Sequence, residues 1–254
     1  MIRPIIFFFF FIFITACSSK KDIVYLQNFN INESYEIDFK EHKIDVDDIL
    51  KIDIITDNPE LSLQFNRNLA LANNNSTPET YKLNGFQVDT KGEINYPTIG
   101  NIYVKGLSVN ELINLIEKNI SDNGLLINPT VDIKIINASF TILGEVNKPG
   151  KYEFLNNNLS ILEAIGIAGD LTINGQRKDV KIIRQINGQG IVNSIDLTES
   201  NFLKTEYYQV FPGDIIVVNP NYNRIKNAGI IGNSGTLLSL LSFILSAIIV
   251  TNSN

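Results

Sequence analysis

The sequence predicts an α+β fold: two small mixed domains followed by a C-terminal transmembrane helix. Three observations lead there. Short runs that alternate apolar and polar residues recur from residue 49 to residue 218, as in half-buried strands. Two Ser-x-x-Glu capping boxes, at Ser108 and Ser160, each open one helix among those strands. Beyond Lys226 no charged residue appears in the given sequence, and residues 236–250 are almost wholly apolar.

Taken in order, Arg3 leads into the apolar run 5–14 and then into Ile14-Thr15-Ala16-Cys17-Ser18. A charged start, a short apolar stretch and small residues before a cleavage point form a secretory signal over residues 1–16. The only cysteine of the chain follows those small residues, so the segment resembles a bacterial lipoprotein signal, with a covalent lipid on Cys17. An ordinary signal with a chance cysteine is the competing reading. Ser18, where an aspartate would retain the protein, is by the same resemblance compatible with the outer membrane. Residues 17–40 read as an extended, lipidated lead. One cysteine excludes an intramolecular disulfide. A net charge of −6 with both signs interspersed leaves no basic stripe for nucleic acid.

A first domain is expected over residues 41–136. Leu50, Ile52 and Ile54 alternate in one strand, and a short helix is expected around 61–71 inside a surface excursion that ends at Pro78. Phe86-Gln87-Val88-Asp89 and Glu93-Ile94-Asn95-Tyr96 read as a hairpin about Thr90-Lys91-Gly92. The Ser108 box opens a helix with Leu112, Leu115, Ile116 and Ile120 inward and Gly124 as its stop. Residues 130–135 alternate as a further strand. A second domain, 137–221, starts with strands on either side of Pro149-Gly150. It continues with the Ser160 helix, a hairpin about Asn187-Gly188, and a last strand after Pro212-Gly213-Asp214.

These residues carry a resemblance. Asp47-Asp48-Ile49-Leu50-Lys51-Ile52, Val88-Asp89-Thr90-Lys91-Gly92 through Ile99-Gly100, and Val104-Lys105-Gly106-Leu107-Ser108 are similar to the polysaccharide biosynthesis/export domain. Gly144-Glu145-Val146-Asn147-Lys148-Pro149-Gly150, Ala168-Gly169 and Phe211-Pro212-Gly213-Asp214 resemble the soluble-ligand-binding β-grasp (SLBB) domain that follows it in Wza-type outer-membrane exporters. The chain departs from the family in having Asp47-Asp48 where Gly-Asp is usual, and in showing one β-grasp copy where the best-known members have two.

Residues 222–254 form the expected membrane helix and tail. At 100° per residue Gly235, Ser239, Ser242 and Ser246 fall within an arc of about 60°. The stripe either lines a water-filled lumen or is a close-approach surface between helices. The alternative of a buried helix in a soluble domain fits poorly with the absence of charge. Arg224 and Lys226 precede the helix, opposite to the bias of an inner-membrane span.

Little here suggests catalysis, so no enzyme is expected. His42 is the only histidine, and no Gly-x-Ser-x-Gly elbow accompanies a serine. Asp45, Asp47, Asp48 and Asp53 lack the spacing of a calcium loop, so no metal site and no cofactor beyond the Cys17 lipid are expected. The resemblance implies an outer-membrane lipoprotein whose bulk lies in the periplasm. It implies a homo-oligomeric ring of about eight copies through which a capsular or exopolysaccharide passes. It also implies an inner-membrane polysaccharide co-polymerase with a tyrosine-kinase module as partner. The alternative is a periplasm-facing lipoprotein that captures glycan or a partner protein without forming a pore.

Overall fold

The computed structural model describes residues 20–28, 34, 37–67, 82–156, 158–186, 188–221 and 234–252. Cys17, the signal expected at 1–16 and residues 68–81 of the expected surface excursion lie outside them.

Strand β1 (Ile49–Ile55) is the centre of the first sheet because its alternation places Leu50, Ile52 and Ile54 on one buried face. It pairs antiparallel with β2 (Phe86–Gln87) and, in the register Ile52↔Ile133, with β5 (Thr130–Ile135). A four-residue helix α1 (Pro59–Ser62) follows β1 and overlaps the start of the helix expected around 61–71, of which residues 68–71 lie outside the described residues. Asn58 caps it, and Asn66 then turns back to β1. The Asn66 side chain accepts from Ile54 N at 2.7 Å and donates to Ile54 O at 2.9 Å, replacing a strand neighbour with an amide.

Of the hairpin expected between 86–89 and 93–96 only the turn forms, closed by Asp89 N on Glu93 O and Gly92 N on Asp89 O, each at 2.9 Å; the two strands make no ladder. Val88 continues to pair with the β1 side of the sheet, donating to Asp48 O at 2.8 Å while its carbonyl accepts from Asp47 N at 3.0 Å. Asp89 Oδ1 instead accepts from Lys91 N and Glu93 N, turning the chain into β3 (Glu93–Tyr96), which pairs with β4 (Gly100–Tyr103) across Pro97. Asp47, where the family usually has glycine, takes φ +69°, the left-handed conformation that a glycine would adopt freely.

Helix α2 (Val109–Asp122) lies on this sheet with Leu112, Ile116 and Ile120 fully buried at i, i+4 and i+8. Each contributes roughly 1.5–3 kcal/mol of burial. Both halves of its capping box are present: Glu111 N donates to Ser108 Oγ at 3.2 Å and Ser108 N to Glu111 Oε2 at 2.7 Å. At the other end Gly124 N bonds Ser121 O and Leu125 N bonds Ile120 O, which terminates the helix.

The second domain is one five-stranded sheet in the order β7-β6-β10-β8-β9. Its strands are β6 (Ser139–Gly144), β7 (Gly150–Glu153), β8 (Gly175–Ile186), β9 (Gln189–Ile195) and β10 (Ile215–Pro220). First and last strands, β6 and β10, lie side by side and parallel, and every other pair is antiparallel. Helix α3 (Ile161–Ile167) covers one face, capped by a second complete box at Ser160 and ended by the same pair of bonds at Gly169 and Asp170. Phe140, Ile142, Ile161, Ala164, Val180, Ile182, Ile216 and Val218 form its core. At Gly144 a Cβ would stand 2.0 Å from Val218 O, so only glycine lets β6 end this close to β10.

Helix α4 (Ser234–Asn252) is present, but it is not the transmembrane helix the sequence suggested. Among the described residues no helix is long and apolar enough to cross a membrane. The apolar stretch 236–250 rises only about 22 Å against a hydrocarbon core of about 30 Å, and serines interrupt it.

Two outcomes test this fold. Asp47→Gly is tolerated while Asp47→Ala costs about 1 kcal/mol in urea unfolding, because alanine lacks the local bonding that eases a left-handed aspartate. The Lys43 ammonium and the Ser108 amide hold the Glu111 carboxyl down at about 2, from an ordinary 4.5. Its contribution to stability is present above 4.5 and lost as pH falls toward 2. Glu111→Gln should flatten that part of the acid-unfolding curve, measured by melting temperature against pH.

Candidate functional site

Chemistry-bearing residues collect where the two domains and the N-terminal lead meet. In β8 the inward positions run Val180, Ile182, Arg184, so the strand carries a guanidinium into the core side of the sheet. Asp214, 1 % exposed, meets it at the start of β10: Arg184 Nε donates to Oδ1 at 3.0 Å and Nη2 to Oδ2 at 2.8 Å. Oδ2 also accepts from Phe211 N at 2.8 Å, the guanidinium lies 4.4 Å from the Phe211 ring centre, and Nη2 reaches Gln209 O at 2.8 Å. The Gln209 side chain then grips the lead. It accepts from Lys40 N and donates to Lys40 O, both at 2.8 Å.

The junction continues through residues that enter the first domain. Asn137 accepts from Ile49 N and donates to Asp47 O, tying the segment between the domains to the head of β1. Phe154 packs against both hydrophobic cores. His42 lies 6.3 Å from the Phe211 ring and places Nε2 at 3.5 Å from Asp48 Oδ2. Beside them Asp45 binds Lys105, Asp47 binds Gln87 and Asp53 binds Lys51, so the four aspartates have four different partners. Lys105 holds the Asp45 carboxyl below its usual range. Among the described residues no group of three or more His, Cys, Asp or Glu side chains is arranged to hold a metal ion.

Upstream, residues 20–27 lie along the second domain. Leu26 N and Gln27 N donate to Leu197 O and Thr198 O, and Asp22 pairs with Lys178. Tyr25 donates to Asp170 Oδ1 and covers Arg177, whose Nη groups bond the carbonyls of Leu171, Thr172 and Gly175. Burial raises the Tyr25 hydroxyl well above its ordinary value. Among its described residues this lead makes no ladder with a named strand.

The expected stripe falls on α4, where Gly235, Ser239, Ser242 and Ser246 are exposed. Ser242 Oγ donates to Leu238 O and Ser246 Oγ to Ser242 O, each at 2.8 Å, so these two hydroxyl hydrogens are used within the helix. Large apolar side chains are exposed on the same helix, Phe243 at 74 % among them. Sequence reasoning passed over the Arg184 network. Its signal was an arginine at an inward position of an alternating strand, which requires a buried acid.

Compared with known families, residues 38–136 match the family model described as polysaccharide biosynthesis/export protein, and residues 139–192 match that of the SLBB domain. Both are export or binding domains and not enzymes. Asp214→Ala leaves the Arg184 charge buried without its partner and should cost about 3–5 kcal/mol in denaturant unfolding, whereas replacing both residues with apolar ones of similar volume recovers most of it.

Proposed function

Starting from a chain built as a Wza-type polysaccharide export protein, an export domain followed by an SLBB domain, we propose that its copies close into a ring whose wall guides a capsular or exopolysaccharide from the periplasm to the cell surface. The role in polysaccharide export follows from the two matched domains, and proteins of the export family are periplasmic or outer-membrane associated. The ring, the channel and the outer-membrane position are the further step. They are supported most by the order of the two domains on one chain, locked together through Asn137, Phe154 and the Gln209 grip on Lys40.

Such a conduit needs no bond chemistry. It needs walls that hold their shape while a flexible polymer slides past, and two domains joined by the partly buried Asn137 and Gln209 hydrogen bonds and by Phe154 supply a stiff unit. Head-to-tail contact of one surface with a different one closes a ring. A lipid on Cys17 would hold each copy at the membrane, three residues before Lys20, where the described part of the lead begins. In this reading α4 is a contact element between copies, its exposed Leu, Phe and Ile side chains covered by neighbours and its small-residue stripe allowing close approach. The inner-membrane partner, a co-polymerase with a kinase module, supplies the driving force.

Light scattering and negative-stain imaging of the full-length protein in mild detergent test this reading, beside a version ending at Asn227. A ring from the full chain that falls apart on truncation is the expected result. A monodisperse monomer in several detergents would move the protein to the class of glycan- or partner-capturing lipoproteins that form no conduit.

A further inference from the structure

A groove of about 480 Å³ runs between the lead and the turn that follows the 3-10 helix Asn201–Lys204. Asp38 and Lys40 form one wall, and Thr205, Glu206 and Tyr208 form the other. The volume lies in the range of small-ligand sites. We propose that this groove binds a short run of uncharged sugar residues of the exported polysaccharide, an inference that rests on the export reading above.

The chemistry of the walls selects that class. Carboxylates of Asp38 and Glu206 accept hydrogen bonds from ring hydroxyls, and the Lys40 ammonium donates to them. Acid and base face each other, so neither a polyanion nor a polycation finds a field of one sign. Tyr208 supplies a flat, half-buried ring, supported by Phe39 at 5.8 Å and Phe202 at 6.3 Å between ring centres, against which the C–H face of a pyranose can lie. The walls are fixed in advance by the two Gln209 bonds to the Lys40 backbone, which removes much of the ordering cost of binding. Across the opening, Lys40 and Glu206 stand 3.5 Å apart with side chains 61 % and 47 % exposed. A contact that open is weak, and sugar hydroxyls can replace it at little loss.

Calorimetric titration of the full-length protein in mild detergent tests the proposal. The probe is a set of short oligosaccharides released by partial hydrolysis of the polysaccharide exported by the producing cells, with a sulfated oligosaccharide as charged comparison. Saturable binding of the former, weakened about tenfold or more by Asp38→Asn with Glu206→Gln, is expected. Tyr208→Phe should bind as the parent does, Tyr208→Ala should not, and Lys178→Ala, outside the groove, should change nothing, with melting temperatures showing that each variant is folded. Equal binding by the parent and the double variant, no saturable binding, or preference for the sulfated probe overturns the proposal. So does a double variant that alters particle mass but not sugar binding, because the groove would then be filled by protein. Surface polysaccharide in cells lacking the chain separates the two readings. If export stops without the chain and the groove binds no sugar, the groove proposal falls alone; if export continues unchanged, the export reading falls and takes it along.

Discussion

The second domain is organised around the buried pair Arg184–Asp214. A carboxylate and a guanidinium out of water are tolerable only when nearly every donor and lone pair is used, and here the pair recruits Phe211 N, Gln209 O and the face of the Phe211 ring to do so. That requirement fixes the path of residues 206–214, which in turn aims the Gln209 side chain at Lys40. The end of β8, the start of β10 and the lead into the first domain are thus held by one continuous set of bonds. A hydrophobic substitute of equal volume would fill the space without dictating where Gln209 points. Specificity of the junction, more than net stability, is what the ion pair contributes.

Much of the fold was legible because it is local. Both capping boxes formed as their Ser-x-x-Glu spacing implied, the alternation at 50–54 and 130–135 became β1 and β5, and Gly188 sits at φ +78° between β8 and β9 as a tight hairpin needs. The misreadings arose where distant residues decide. Glycine at 92 suggested that 86–89 folds back on 93–96, but β1 offered Val88 better partners in Asp47 and Asp48. Asn66 rather than a longer helix took up the backbone of Ile54. At the site, the match of Arg184 with Asp214 spans thirty positions and that of Lys40 with Gln209 far more, separations at which no periodicity speaks.

The C-terminal helix shows how a correct local reading leads to a wrong environment. Apolar content and the absence of charge do predict a helix over this region, and α4 is there. Whether such a helix enters a bilayer is decided by length against hydrocarbon thickness, and a fifteen-residue stretch of which eleven are apolar falls short of the roughly twenty required. What remains is an apolar surface that needs a cover, which protein provides as well as lipid does.

The parallel neighbours β6 and β10 also set an order of events. The sheet places its first strand beside its last, with Thr141 opposite Ile215, so the central slot of the second domain stays empty until nearly the whole domain has been synthesised. Pairings of such long sequence separation form late and slowly. A chain made N-terminus first thus completes the first domain while the second is still open, its β6 edge exposed to any other strand nearby. The step at which this protein is most exposed to misassembly is therefore the arrival of residues 215–220, and chaperones that shield unpaired edges would be most useful in that interval.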